Sequence, residues 1–228
     1  MAVNLKLLAI QIIGMFVVFA LALFLPAGTL DWPAGWLFLA LFFSFTVALS
    51  LWLLKYNPGL LTERMTGIGK ADQKGWDKIF FAVANLLFIA WLILMPLDAV
   101  RFGWSQMPAW LQIVGGLLLL ISFYLFFLIF QANAFLSPAV RLQTEREQTV
   151  VSTGPYHYVR HPMYATAIMM LVGTSLLLGS WYGLLLVLLL TIAIAFRAVQ
   201  EERTLQAELP GYGDYMTAVK YRFVPYVW

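Results

Sequence analysis

The 228-residue sequence contains no cysteine, two histidines and few charged residues, which make up 11% of the chain. Without cysteine, the protein has no disulfide framework, iron–sulfur site or thiol nucleophile, and two histidines rarely build a metal site. Ordinary soluble domains carry about 25% charged residues, so this composition, with 62% hydrophobic residues, excludes that class. The net charge is only +3, and the sequence has no long basic stripe of the kind that binds nucleic acid. We therefore expect a protein that lies in a lipid bilayer and binds neither nucleic acid nor metal.

Long apolar runs dominate the sequence, and each span of a bilayer about 30 Å thick requires about 20 apolar helical residues. The fold class is predicted to be all-α: a polytopic integral membrane protein with about six transmembrane helices and one membrane domain, residues 1–228. A very short connection at 178–181 predicts that the last two spans form a tight helical hairpin. The first run exceeds the length of a signal-peptide core, which favours a retained helix. We place the spans at residues 7–25, 34–54, 79–97, 110–130, 163–178 and 181–196.

Basic residues are distributed unevenly between the predicted loops. All but one of the 14 Lys and Arg residues fall on one side of the six-span arrangement, and Arg101 is the exception. Because basic loops stay in the cytoplasm, both termini are expected to be cytoplasmic, in a membrane that we expect to be the bacterial inner membrane. Titratable groups concentrate at 55–78, 131–162 and 197–228. The active site is therefore expected at the cytoplasmic face.

The segment TGPYHYVRHPMY, residues 153–164, places glycine, proline, tyrosine, histidine and arginine directly before a predicted span. Pro162 fits the first turn of a helix, where its missing N–H has no partner to lose, and a helix N-terminus attracts anions. Tyrosine and arginine at a membrane edge also serve as simple interfacial anchors. Composition alone leaves both interpretations open.

A second candidate segment, RAVQEER at residues 197–203, continues directly from the last span. Arg197 and Glu201 are four residues apart on one helix face, so a salt bridge between them is the plain structural explanation. Glu202 points about 100° away and is not explained by that bridge. Ionisable groups near lipid are functional candidates, which favours a ligand role for one of the two carboxylates.

Two further segments are polar. The tail, residues 205–228, predicts an amphipathic helix beginning near Asp214 that lies on the membrane interface or covers a site. The loop segments 57–65 and 76–78 are interpreted as ordinary solvated polarity.

In order along the chain, GPYHYVRHPMY, EERTL, PGYGDY and VKYRFVP resemble motifs of the integral-membrane methyltransferases of the isoprenylcysteine carboxyl methyltransferase and phospholipid methyltransferase superfamily. The resemblance covers about the last hundred residues, and Asn133, LSPAVR and NPGLLTERM are similar to its bacterial-type branch. It implies S-adenosylmethionine as the cofactor, held by a methyltransferase core at 131–228 that follows the N-terminal spans at 1–130. The implied acceptor is lipophilic, with an isoprenylcysteine-like carboxylate or a lipid amine or hydroxyl. No Rossmann domain is implied, and no GxGxxG follows a strand-like segment.

The resemblance also implies site residues by motif position. The expected catalytic residues are Arg160, Glu201 and Arg222. The expected cofactor-binding residues are Gly154, Pro155, Tyr156, His161, Pro162, Tyr164, Glu201, Glu202, Tyr212 and Tyr215. Carboxylates, cations and aromatic faces are the groups that suit the charged ends and the sulfonium of S-adenosylmethionine.

Two alternatives from other classes remain. Membrane reductases of the sterol reductase type, which would use NADPH, look like distant relatives of this C-terminal architecture, but no Lys or Arg cluster near 153–164 is available for a 2′-phosphate. A transporter or non-catalytic membrane partner is disfavoured because transporters place ionisable groups at the bilayer midplane, where these spans have almost none. The acceptor's identity, the choice between O- and N-methylation and the oligomeric state stay open.

The distribution of basic residues yields a topology prediction. A fluorescent protein fused after Trp228 should fluoresce, and alkaline phosphatase fused there should be inactive, because the tail is expected in the cytoplasm. An active phosphatase fusion together with a dark fluorescent fusion would contradict the six-span arrangement.

Overall fold

The computed structural model describes residues 3–66 and 73–228, and these residues form helices without any strand. A π-helical turn, Leu97–Arg101, extends the fourth helix. The predicted all-α class is confirmed. Lys70, one of the basic residues used for the orientation, lies outside the described residues. The α-helices are α1 (Leu5–Ala27), α2 (Pro33–Tyr56), α3 (Pro58–Thr66), α4 (Gly75–Pro96), α5 (Ala109–Ala132), α6 (Pro162–Leu177), α7 (Trp181–Glu208) and α8 (Tyr212–Ala218).

Five of these helices are long and apolar enough to cross a membrane: α1, α2, α4 with its π turn, α5 and α7. The fifth predicted span corresponds to α6, which has 16 residues and is therefore only about 24 Å long. The expectation of about six membrane helices is thus confirmed, with one of them shorter than a bilayer core. Helix α7 continues twelve residues past the predicted end of its span, so Arg197, Glu201 and Glu202 lie on its last turns.

Successive membrane helices run in opposite directions, which gives the bundle two chemically distinct ends. At one end the Gln11 side chain of α1 donates to the Met65 carbonyl of α3 (3.2 Å), and Val140 N–H donates to Asp77 of α4 (2.9 Å). This end also holds the start of α6 and the last turns of α7. We call it the basic end, because the loops that carry most of the Lys and Arg residues lie there. The segments 28–32, 97–108 and 178–181 form the opposite end.

The opposite end is fastened by Asp98, whose side chain is fully buried. Its Oδ2 accepts hydrogen bonds from the hydroxyls of Ser105 and Ser180, both at 2.6 Å. Ser180 in turn accepts from Gly183 N–H and so caps α7. Gly179 takes a φ of +81°, a left-handed conformation that glycine adopts without strain, so the chain turns sharply between α6 and α7. These contacts confirm the predicted tight hairpin.

Helices α5 and α6 cross in close contact at two glycines. A Cβ added to Gly115 would lie 2.4 Å from the Leu177 backbone nitrogen and 2.7 Å from the Gly173 carbonyl oxygen. A Cβ on Gly173 would lie 2.9 Å from backbone atoms of α5. Small residues let membrane helices approach until their backbones touch, which maximises van der Waals contact where no hydrophobic effect drives association.

This crossing predicts different effects of alanine at two adjacent glycines. Gly115→Ala should lower the free energy of unfolding by about 1–3 kcal/mol, because the new methyl group forces the two helix backbones apart. Gly116→Ala is the matched control, since its Cβ would meet only a Leu177 methyl group at 3.7 Å. Thermal melts in one detergent compare the variants. Equal melting temperatures for the two variants would contradict the close crossing.

Candidate functional site

A cavity of about 320 Å³ opens at the basic end of the bundle. Its walls come from α3, the start of α4 and of α6, the last turns of α7, the segments 133–142 and 148–161 and the tail helix α8. We call it the polar cavity, because charged and tyrosine side chains line much of it. Among the predicted site residues, those that line it are Tyr156, Arg160, His161, Tyr164, Glu201, Tyr212 and Tyr215.

The other predicted site residues are not among its lining residues. Gly154 has a φ of +58° and begins a 3-10 turn, Gly154–His157, with Pro155 next to it. Pro162 is the first residue of α6, as predicted from the sequence. These residues shape the backbone that presents Tyr156 and His161. Their predicted direct contact with a cofactor stays a prediction, as does that of Glu202 and the role of Arg222.

Of the two adjacent carboxylates, Glu201 and Glu202, Glu201 is the one that lines the polar cavity. Its Oε2 accepts a hydrogen bond from the Tyr164 hydroxyl at 2.5 Å, and its side chain is 26% exposed. Its Oε1 accepts no hydrogen bond from the residues that the structure describes. The Tyr164 ring stacks on the His161 imidazole with centroids 5.3 Å apart. Glu201 therefore retains one acceptor oxygen for a bound molecule.

Glu202, in contrast, is 3% exposed and is occupied by protein donors. Its Oε1 accepts from Arg160 Nε at 2.6 Å and lies 3.2 Å from His161 Nε2. Its Oε2 accepts from Arg222 Nε at 2.8 Å. Two guanidinium groups thus neutralise one buried carboxylate. The geometry favours Glu201 over Glu202 as the residue that contacts a cofactor.

Arg160 uses its remaining donors to hold the C-terminal tail. Its Nη1 donates to the carbonyls of Val219 (2.7 Å) and Lys220 (2.8 Å), and its backbone N–H donates to the Tyr221 carbonyl. The Tyr215 hydroxyl donates to the Tyr156 carbonyl at 2.7 Å. The tail therefore lies across the 153–161 segment as one wall of the polar cavity. These contacts give Arg160 a positioning role, and its expected catalytic role stays a prediction.

Three tyrosines of the polar cavity are kept neutral by their surroundings. Burial raises the pKa of Tyr215 to about 12, even though the positive charge of Arg160 opposes this shift. Burial also raises the pKa of Tyr156 and Tyr212 well above the ordinary value, and the negative charge of Glu201 adds to both shifts. These hydroxyls therefore serve as hydrogen-bond donors at neutral pH and not as bases.

Arg197 makes contacts that the sequence did not predict. Its Nε lies 3.0 Å from Asp77 Oδ1 on α4, and its Nη2 donates to the Pro138 carbonyl at 2.6 Å. The expected bridge from Arg197 to Glu201 is therefore replaced by a pair between two membrane helices. Its guanidinium carbon also lies 4.8 Å from the centres of the Phe80 and Phe81 rings.

The interpretation of 57–65 and 76–78 as solvated loops was wrong. Asp77 is fully buried, and Glu63 is 5% exposed. Glu63 accepts from Arg141 Nε at 3.0 Å and Nη2 at 2.9 Å. These pairs fix the segment 133–142 over the polar cavity. Their partners are 63 or more residues apart in the sequence, so no local pattern indicates them.

A second cavity of about 560 Å³ lies beside the first, among α1, α2, α5, α6 and α7. Leucine, isoleucine, methionine and phenylalanine side chains form most of its lining, so we call it the apolar cavity. The two cavities share four lining residues: Arg64, Met163, Tyr164 and Arg197. The polar and apolar cavities are therefore neighbours that meet at these four side chains.

Comparison with known proteins agrees with the motifs. Residues 110–210 match the family model described as phospholipid methyltransferase. This match confirms, for that part of the chain, the resemblance to the superfamily of membrane methyltransferases. The matched part contains nearly all of α5, the whole of α6 and α7 and the 153–164 motif, and thus many of the residues that surround the polar cavity. No curated protein matches the chain significantly.

The contacts of Glu202 predict what its neutralisation does. Glu202→Gln should lower the free energy of unfolding by about 3–5 kcal/mol, because two arginines lose their buried counter-charge. The tail should also become more susceptible to trypsin at Lys220 and Arg222.

Glu208→Gln is the matched control on the same helix, because Glu208 forms a half-exposed pair with Lys74 and should lose at most about 1 kcal/mol. Thermal melts and timed trypsin digests measure both effects. A Glu202→Gln protein with wild-type stability and tail protection would show that this cluster does not hold the tail.

Proposed function

We propose that the protein transfers a methyl group from S-adenosylmethionine to a lipophilic acceptor at the basic end of the bundle. The observation that carries this proposal is the meeting of a polar cavity, which contains an acceptor carboxylate, with an apolar cavity inside the membrane domain. The family match over residues 110–210 supports the reaction class.

The residues of the polar cavity fit S-adenosylmethionine. Its volume of about 320 Å³ is within the range of small-molecule sites, which starts at about 300 Å³. The free Oε1 of Glu201 suits the ammonium or a ribose hydroxyl, and the neutral hydroxyl of Tyr212 is available as a hydrogen-bond donor. The aromatic faces of Tyr212, Tyr215 and Phe81 suit a sulfonium, because aromatic rings attract cations over their faces.

When bound, S-adenosylmethionine supplies a methyl group on a positively charged sulfur, and this group passes to a nucleophile while the carbon–sulfur electron pair stays on sulfur. The protein's contribution is to hold the two reactants in line and to exclude water. The clamped tail and the segment 133–142 close the polar cavity around one reactant. Met163 and Tyr164, at the junction of the cavities, position the head of the other.

The need for a base depends on the acceptor. A carboxylate is already a nucleophile and requires no proton transfer. A protonated amine must first lose a proton, and the high pKa values of the tyrosines leave Glu201 as the carboxylate in the cavity to accept it. At a saturating concentration of S-adenosylmethionine, Glu201→Gln should therefore slow methylation of an amine acceptor more than that of a carboxylate acceptor.

The membrane orientation is part of the same proposal. We place the basic end, with both termini, at the cytoplasmic face of the bacterial inner membrane, because the Lys and Arg residues concentrate there. S-adenosylmethionine in the cytoplasm then has direct access to the polar cavity. The lipophilic acceptor approaches from the bilayer.

Cofactor binding tests the proposal. S-adenosylhomocysteine should bind the detergent-solubilised protein, and Glu201→Gln should weaken binding more than tenfold, since a hydrogen bond to a charged group contributes about 1.5–3 kcal/mol. Isothermal titration calorimetry measures both affinities. Glu208→Gln should bind as the wild type does.

Thermal melts of the same protein distinguish the methyltransferase proposal from the reductase alternative. A ligand that binds only the folded state raises the melting temperature, so S-adenosylhomocysteine should raise it and NADPH should not. Stabilisation by NADPH alone would reject the methyltransferase assignment. Incubation with radiolabelled S-adenosylmethionine and total lipid extract, followed by separation of the products, identifies the acceptor.

A further inference from the structure

Arg64 of α3 lies at the junction of the two cavities and is one of the four residues that line both of them. Its Nη1 donates to the Leu136 carbonyl at 3.3 Å, and its guanidinium carbon lies 4.8 Å from the centre of the Phe130 ring. Within residues 3–66 and 73–228, no carboxylate forms an ion pair with it. Burial lowers its pKa to about 10, so the group still carries its charge at neutral pH.

The other arginines that line the polar cavity are neutralised. Arg160 pairs with Glu202, Arg197 with Asp77 and Arg141 with Glu63. A partly buried guanidinium without a carboxylate is unfavourable unless an anion neutralises it. Arg64 therefore differs from these three arginines in lacking an acidic partner within the described residues, at the place where the polar and apolar cavities meet.

We propose that Arg64 binds the anionic head, a carboxylate or a phosphate, of a lipophilic molecule whose hydrocarbon chain lies in the apolar cavity. This inference rests on the proposed function and names its acceptor class as an anionic lipid. The planar guanidinium matches both anions, because it offers two parallel N–H donors to two oxygens.

The geometry favours the acceptor over the carboxylate of S-adenosylmethionine as the partner of Arg64. Phe130, on which the guanidinium rests, lines the apolar cavity and is not among the lining residues of the polar cavity. The guanidinium thus lies between Leu136, which lines the polar cavity, and Phe130, which lines the apolar cavity, so the head of a chain in the apolar cavity comes next to its charge. The free oxygen of Glu201 serves the polar cavity, so the two reactants have separate charged partners.

Binding of four probes with the same sixteen-carbon chain tests the proposal: hexadecanoate, hexadecyl phosphate, hexadecanol and hexadecylamine. Each is titrated, without S-adenosylmethionine, into the full chain in uncharged detergent, and the melting temperature gives the apparent affinity. We expect the wild type to bind at least one anionic probe at least tenfold more tightly than hexadecanol. The relative affinities of the two anionic probes distinguish a carboxylate head from a phosphate head.

Three variants complete the experiment. Arg64→Gln should lose the preference for anions while its affinity for hexadecanol stays within twofold, and Arg64→Lys should keep part of it because the charge remains. Arg203→Gln removes an exposed arginine that lines neither cavity and should behave as the wild type.

Unchanged anion binding in Arg64→Gln overturns the proposal, and so does a wild type that binds hexadecanol as tightly as both anions. The second criterion needs no variant, so it holds even if Arg64→Gln fails to fold. S-adenosylhomocysteine affinity should be equal in Arg64→Gln and the wild type. A tenfold loss there, with anion binding intact, would instead assign Arg64 to the cofactor. A wild type that binds anionic probes but not S-adenosylhomocysteine rejects the proposed function and leaves the anion site standing.

Discussion

The site depends on one buried carboxylate, that of Glu202, and on the two arginines and the histidine around it. A carboxylate this far from water is tolerated only when donors replace its hydration, and Glu202 has Arg160 and Arg222 at hydrogen-bond distance. These partners come from the 153–161 segment and from the tail, while Glu202 belongs to α7. One side chain thus joins three separate parts of the chain. The polar cavity exists because the tail is held in this way.

The wall opposite the tail is built by the same physical rule. The segment 133–142 has no regular secondary structure, so its buried backbone groups depend on hydrogen bonds from outside the segment. Asp77 accepts from Val140 N–H, and Arg197 donates to the Pro138 carbonyl. Asp77 and Arg197 also form an ion pair with each other, so each of these buried groups lies beside one of opposite charge. Side chains of α4 and α7 therefore hold this irregular wall in place.

The sequence predicted the parts of this structure that local composition determines. Apolar runs located five full spans and α6, because hydropathy sums over neighbouring residues, and Gly179 with Ser180 marked the hairpin turn. The motif order located many of the residues around the polar cavity. The pairs of Arg197 with Asp77 and of Arg141 with Glu63 were missed, because each joins residues from distant segments. Arg64 was missed for a related reason: only the folded structure shows that, within residues 3–66 and 73–228, no carboxylate pairs with it.

The length of α6 explains why the polar and apolar cavities meet at its first turn. The Asp98 cluster fixes the turn between α6 and α7 at the opposite end. The length of α6 therefore determines how far its first residue lies from that end. Sixteen residues extend about 24 Å, which is about 6 Å less than a bilayer core of about 30 Å. Pro162, the first residue of α6, therefore lies closer to the opposite end of the bundle than the first residue of a full-length span would. Tyr164, in the first turn of α6, consequently borders both cavities, which is the arrangement that the proposed function requires for an acceptor with a polar head and a hydrocarbon chain.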